Sequence, residues 1–179
     1  RADQSFARLQ RARGYMEENR MELAFAEISN LMKEDGGFPG ADSLREKIED
    51  RLTEKELERV LGEAWAAMES GDLDAAASAV GDAVSLAPEH PAVRDARAEL
   101  DARILERKTL DLREKAEQLQ EREEWKAAHN TWLEIEALDP DAPWVKTGLA
   151  ESLRWAVVDE KLRKGLEDPA SRQTAQWVE

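Results

Sequence analysis

Apolar residues recur every three or four positions along most of the chain, which is the spacing of one face of an α-helix. In the middle of the chain this pattern runs from Leu61 to Met68, stops at Ser70-Gly71-Asp72, and resumes from Leu73 to Val84. Glycine followed by aspartate at such a break is typical of one helix ending and another beginning. Pro88 ends the second stretch, because proline cannot continue a helix. The pattern predicts a helix–turn–helix hairpin.

The hairpin recurs with a period of 52 residues. The positions that repeat at this spacing are Ala12, Ala64 and Ala116; Ala24, Ala76 and Ala128; Pro39, Pro91 and Pro143; and the apolar set Ile28, Val80 and Trp132. Because the chain has only six prolines, three of them in one register indicate a true internal repeat. The expected units are residues 1–38, 39–90 and 91–142, followed by a partial fourth unit and a terminal helix in 143–179, all within one domain.

Two interpretations fit the long segments at 41–70 and 91–120, which contain no internal proline. We favour one helix of about 30 residues in each, followed by a short helix. The alternative is three helices per unit, because Thr53-Glu54-Lys55-Glu56 fits a capping box that would start a new helix. Near the end of the chain, Asp168-Pro169 predicts the start of a terminal helix that caps the stack or leads into more protein.

One unit resembles the tetratricopeptide repeat (TPR), in which a small residue in the first helix is followed by Gly-Asp at the turn and a closing proline. The residues that carry the resemblance are Gly71-Asp72-Leu73, Ala76, Val80, Ala83 and Pro88, matched by Glu123-Glu124-Trp125 to Pro140 and by Asn19-Arg20-Met21 with Tyr15. The period exceeds the 34 residues of the family by 18, which is five helical turns. The resemblance implies an all-α, right-handed solenoid of antiparallel helix hairpins with elongated first helices.

Composition and charge narrow the function. The chain has 26 basic and 40 acidic residues, a formal net charge of −14, and no cysteine. An acidic chain is a poor phosphate binder, so a nucleic-acid partner is not expected, whereas a basic protein partner is compatible with the charge. No apolar run is long enough to span a membrane. Abundant alanine and arginine hint at a bacterial source, and composition leaves cytoplasm and periplasm equally open.

The motifs of enzymes and cofactor sites are missing. His90 and His129 are the only histidines, and neither lies in a metal-ligand motif. Gly36-Gly37-Phe38-Pro39-Gly40 lacks the spacing of a phosphate-binding loop, and the carboxylates near Asp139 lack that of a calcium loop. We therefore predict no enzymatic activity, no cofactor and no metal site.

The function expected from this architecture is a protein–protein interaction scaffold that binds a peptide or helix along its concave surface. The candidate groove residues are Leu9, Arg13, Met16, Trp65, Met68 and Arg113, and the candidate contacts at the end of the repeat are Trp155 and Trp177. A competing interpretation is that this apolar face packs against the neighbouring long helix. A different class of function also remains open: a structural spacer, or a homo-oligomer assembled through open repeat ends.

Overall fold

The structure, a computed structural model, describes the backbone of residues 2–167 and the side-chain exposure of residues 3–165. Within these residues the chain is entirely α-helical and has no strand, which confirms the all-α prediction. The helices are α1 (Ala2–Glu17), α2 (Met21–Glu34), α3 (Ala41–Ser70), α4 (Leu73–Leu86), α5 (Pro91–Glu121), α6 (Trp125–Leu138) and α7 (Val145–Glu167).

The two long segments are each a single helix, as the favoured interpretation predicts. Helix α3 has 30 residues and α5 has 31. The Thr53 hydroxyl donates to the Glu49 carbonyl oxygen at 3.0 Å, four residues back. This is the bond of a threonine inside a helix and not that of an N-cap, so a helix break at Thr53 is wrong.

The 52-residue period is visible in the helix ends. Helices α2, α4 and α6 each have 14 residues and begin at Met21, Leu73 and Trp125, which are 52 positions apart. The residue two positions before each start has a left-handed backbone: Asn19 at φ 59°, Gly71 at φ 80° and Glu123 at φ 61°. Glycine adopts this conformation without strain, whereas Glu123 does so at a cost of about 1 kcal/mol.

The same backbone hydrogen bond closes the ends of α1, α3 and α5. The amide of Arg20 donates to Tyr15 O at 2.8 Å, that of Asp72 to Ala67 O at 3.0 Å, and that of Glu124 to Leu119 O at 2.9 Å. With the left-handed residue before it, this bond forms a Schellman motif, which satisfies carbonyls that the helix end would leave unpaired. The turn chemistry is therefore repeated three times, although only Gly71 has the residue type that signals it clearly.

The alanines that define the repeat are completely buried. All six (Ala12, Ala64, Ala116, Ala24, Ala76 and Ala128) have no exposed surface. A larger side chain at these points would push the packed helices apart, because protein interiors leave no spare volume. The sequence period is thus a period of packing.

Three hydrophobic cores follow one another along the chain. The first core contains residues of α1, α2 and the start of α3, such as Ala24, Ile28 and Ile48. The second contains the end of α3, α4 and the start of α5, and the third contains the end of α5, α6 and the start of α7. Each long helix therefore contributes its first half to one core and its second half to the next, which explains why the helices are twice the length of α2, α4 and α6.

The described contacts divide the chain into two compact units, residues 1–100 and 101–179, where the sequence suggested one domain. The division falls within α5. Between Leu100 and Thr109, both of which are buried, the side chains of α5 are exposed or only partly buried. This stretch has few packing partners, so the cores on either side of it separate into two units.

Candidate functional site

Two of the residues predicted to line a binding groove lie in the hydrophobic core instead. Leu9 is 3% exposed and Met68 is 1% exposed. Leu9 packs in the first core and Met68 in the second. Their assignment to an open groove is therefore corrected: α1 and α3 turn these side chains toward their own neighbouring helices, as the competing interpretation proposed.

The other predicted groove residues are scattered. Met16 is half-buried against the first core, and Arg13 is exposed on α1. Trp65 is 39% exposed on α3. Arg113 belongs to the second unit, where its guanidinium lies 5.0 Å from the ring centre of Trp144 and 2.7 Å from a carboxylate oxygen of Glu117. Five of the six predicted groove residues therefore belong to the first unit and Arg113 belongs to the second.

The predicted contact at Trp155 is exposed, and Trp177 lies outside the described residues. Trp155 stacks on Trp125 of α6 with ring centres 5.6 Å apart, and Arg154 lies 5.9 Å from the Trp155 ring. One face of Trp155 is thus covered by its own unit. The remaining surface, 41% of the side chain, is open to solvent.

A concave surface of the second unit lies between the start of α6 and the second half of α7. This α6–α7 groove has a volume of about 700 Å³. Its apolar floor is formed by Leu153, Ala156 and Val157 of α7, and His129 and Asn130 of α6 line the opposite side. Leu153 is 50% exposed and Val157 is 45% exposed, so the floor is available for contact.

Charged side chains surround this floor. Lys126, Lys161, Arg163 and Lys164 supply four positive charges, and Asp159 and Glu160 supply two negative ones. The Lys164 ammonium lies 2.9 Å from a Glu160 carboxylate oxygen, and Arg163 lies 3.6 Å from the other. The hydrogen bond from Lys164, with help from the charges of Arg163 and Lys126, lowers the pKa of Glu160. The groove is locally positive in a chain with an overall charge of −14.

A sequence signal for the groove exists in the repeat. Lys161 and Lys164 of α7 lie 104 residues, or two periods, after Leu57 and Val60 of α3. In α3 these positions are buried in the second core with α4. In α7 they are exposed lysines. The apolar strip on which α3 packs its partner is therefore replaced by cations in α7.

A histidine and a serine meet beside the groove, but their geometry is structural. Ser152 Oγ is fully buried and donates to the Gly148 carbonyl oxygen at 2.6 Å. His129 Nδ1 lies within hydrogen-bond distance of the same hydroxyl, at 3.1 Å. A fully buried hydroxyl cannot reach a substrate, so the pair fixes the His129 ring against α7 and does not form a nucleophile–base pair.

A smaller cleft of about 360 Å³ lies along α5 in the same unit. Leu105 and Leu110 of α5 and Pro143 and Trp144 of the segment before α7 form its apolar lining. Its charged lining residues, Glu106 and Asp139, are both acidic. This α5 cleft is half the size of the α6–α7 groove and has the opposite charge.

Two further features bear on the classes of function. Between residues 2 and 167, no group of three or more potential metal-ligating side chains (His, Cys, Asp or Glu) occurs. Among α1–α7, none combines the length and the apolar run that crossing a lipid bilayer requires.

Comparisons with protein-family models, with curated proteins and with solved structures find no match to this chain.

Proposed function

We propose that the chain is a helical-repeat scaffold with TPR-like hairpins that binds a protein partner through the α6–α7 groove. The observation that carries the proposal is the groove itself: an open apolar floor bordered by cations and large enough for several side chains of a partner. Five large apolar side chains of α7 are exposed: Leu153, Trp155, Val157, Val158 and Leu162. Such a concentration on one helix is typical of a surface that another protein covers.

The binding site in this proposal differs from the one expected on α1 and α3. The change follows from burial, since Leu9 and Met68 stabilise the cores whereas Leu153 and Val157 are open. Hydrogen-bond donors and charges at the rim fix the orientation of a partner, and the apolar floor supplies the binding energy.

A structural spacer is the second candidate, and one observation favours it. Helix α3 contributes to two consecutive cores of the first unit without a break. A helix shared in this way transmits force along itself, since bending it would disturb both cores. The spacer and the scaffold are compatible, because a spacer can also carry a docking surface.

The scaffold proposal predicts that two polar substitutions on the groove floor abolish most of the binding. Peptides selected from a random display library against the full chain are expected to bind the Leu153→Ser, Val157→Ser double variant about 20-fold more weakly, because two apolar contacts are lost. Fluorescence anisotropy with labelled peptides measures this change. Because both side chains are exposed, the thermal unfolding midpoint should not fall.

A matched control uses two exposed apolar residues of the first unit, Leu23 and Phe25 on α2. The Leu23→Ser, Phe25→Ser variant should bind the same peptides as the wild type does. Selection of no peptide, or an equal loss of affinity in both double variants, would contradict the proposal.

A further inference from the structure

The lining of the α6–α7 groove restricts the chemistry of what can occupy it. The chain carries an excess of carboxylates, yet four of the six ionisable Lys, Arg, Asp and Glu side chains at this groove are cations. Like charges brought together without water between them repel strongly, and opposite charges select the partner. A basic occupant, which the net charge of the whole chain suggests, would meet this local cluster of like charge.

The four cations of the groove differ in whether they already form an ion pair with a carboxylate of the chain. Lys164 and Arg163 share the Glu160 carboxylate. Among the side chains of residues 3–165, neither Lys126 nor Lys161 has a carboxylate at ion-pair distance. These two ammonium groups, one on α6 and one on α7, are therefore available to carboxylates of an occupant, and they lie on the two helices that form the groove.

The shape of the groove favours a helical occupant. Its α7 residues Leu153, Val157, Lys161 and Lys164 are spaced by four, four and three positions, so they form one straight strip along the helix. Each of the three cores is built from residues of three helices. At the α6–α7 groove only two helices line the surface and its apolar residues Leu153 and Val157 are exposed, which matches the recognition of an amphipathic helix in a groove.

We propose that the α6–α7 groove binds an acidic amphipathic helix of a partner protein, whose apolar face covers Leu153 and Val157 and whose carboxylates pair with Lys126 and Lys161. This inference rests on the proposed function and specifies the chemistry of the partner. At physiological salt the charges of distant acidic residues are screened within about 8 Å, so the local cations decide the preference.

The test uses three synthetic helical peptides with the same Leu and Ala face and with Glu, Gln or Lys on the other face. Binding to the full chain is measured by fluorescence anisotropy. The Glu peptide should bind about tenfold more tightly than the Lys peptide, and its affinity should fall as salt is raised. A proline in the middle of the Glu peptide should weaken binding, because the helix is broken.

Charge reversal locates the effect. In the Lys126→Glu, Lys161→Glu variant the order of the peptides should reverse, so that the Lys peptide binds more tightly than the Glu peptide. The matched Lys115→Glu, Lys146→Glu variant changes the net charge equally but lies outside the groove lining, and it should retain the preference for the Glu peptide.

The outcomes separate this inference from the proposed function. If the Gln peptide binds as well as the Glu peptide, and Leu153→Ser, Val157→Ser weakens both, the groove is a binding site and the acidic preference is wrong. If none of the three designed peptides binds while library-selected peptides still bind the groove, the acidic-helix inference is wrong and the proposed function stands. If the mass in solution rises with protein concentration and the charge reversal abolishes this rise, the occupant of the groove is a second copy of the chain. If removal of residues 168–179 raises the affinity for the Glu peptide tenfold, the occupant is the chain's own end. Either result overturns the inference.

Discussion

Replacing Gly148 by alanine is expected to destabilise the second unit by about 2 kcal/mol, although alanine is the better helix former. A Cβ atom at position 148 would lie within 2.7 Å of three ring atoms of Trp132. Real Cβ atoms do not approach ring atoms so closely, so α7 or the indole must move. Urea unfolding of the wild type and the variant measures the loss.

The control for this substitution is Gly81→Ala. Gly81 lies inside α4 and is exposed, and an added Cβ there would meet no atom within 4 Å. Its replacement should therefore stabilise the protein by up to about 1 kcal/mol through helix propensity alone. Equal effects of the two substitutions would show that Trp132 does not press on Gly148.

The equivalent residues of the other repeats indicate a substitution at Trp132 that should make room for a Cβ atom at position 148. At the positions equivalent to Trp132 and Gly148, the first core pairs Ile28 with Leu44 and the second pairs Val80 with Ala96. The third core instead combines the largest side chain with the smallest. In the third core, a larger side chain on α6 (Trp132) is thus matched by a smaller residue on α7 (Gly148).

We therefore expect Trp132→Val, Gly148→Ala to lose less stability than the sum of the single variants, by about 2 kcal/mol. Trp132→Val alone should cost about 3 kcal/mol, because it leaves a cavity. Part of that cost is offset, since Trp132 Nε1 is buried without a hydrogen-bond partner in the described part of the chain. Additive losses in the double variant would contradict the pairing.

The second large effect is expected at Met68. Met68→Ala should destabilise the protein by about 3 kcal/mol, because the side chain fills the second core and its removal leaves a cavity. Trp65→Ala, three positions earlier on the same helix, should cost less than Met68→Ala, because Trp65 is 39% exposed and Met68 is 1% exposed. Chemical denaturation of both variants measures the contrast.

Met68→Leu serves as the conservative control, because it nearly preserves volume and should cost less than about 1.5 kcal/mol. Two results would contradict the burial of Met68: a small loss of stability in Met68→Ala, or an equal loss of stability in Trp65→Ala. Either result would support the predicted groove on α1 and α3.

The period of the sequence predicted much of the fold, because alanine and proline at fixed positions encode close helix packing and helix ends directly. The period accounts for the starts of α2, α4 and α6 at Met21, Leu73 and Trp125, and for the six buried alanines that repeat at 52 positions. Of the three left-handed positions, only Gly71 is a glycine, the residue type that predicts this backbone clearly. At Glu123 the surrounding fold imposes a backbone that the residue type does not favour, so propensity gives no warning.

The site could not be predicted to the same degree. A helical pattern shows which residues are apolar, but it does not show which neighbouring helix covers them. Leu9 and Met68 have the same spacing that an exposed groove would have, and only the packing of each long helix into two cores shows that they are covered. The signal for the α6–α7 groove was the replacement of Leu57 and Val60 by Lys161 and Lys164 two periods later.

The most direct test of the proposed scaffold is the hydrogen-exchange footprint of a selected peptide on the full chain, measured by mass spectrometry. Peptide binding should slow exchange in residues 126–130 of α6 and 153–164 of α7, and leave α1–α4 unchanged. Slowed exchange confined to α1 and α3, around Arg13 and Trp65, would contradict the account and place the binding surface on the first unit.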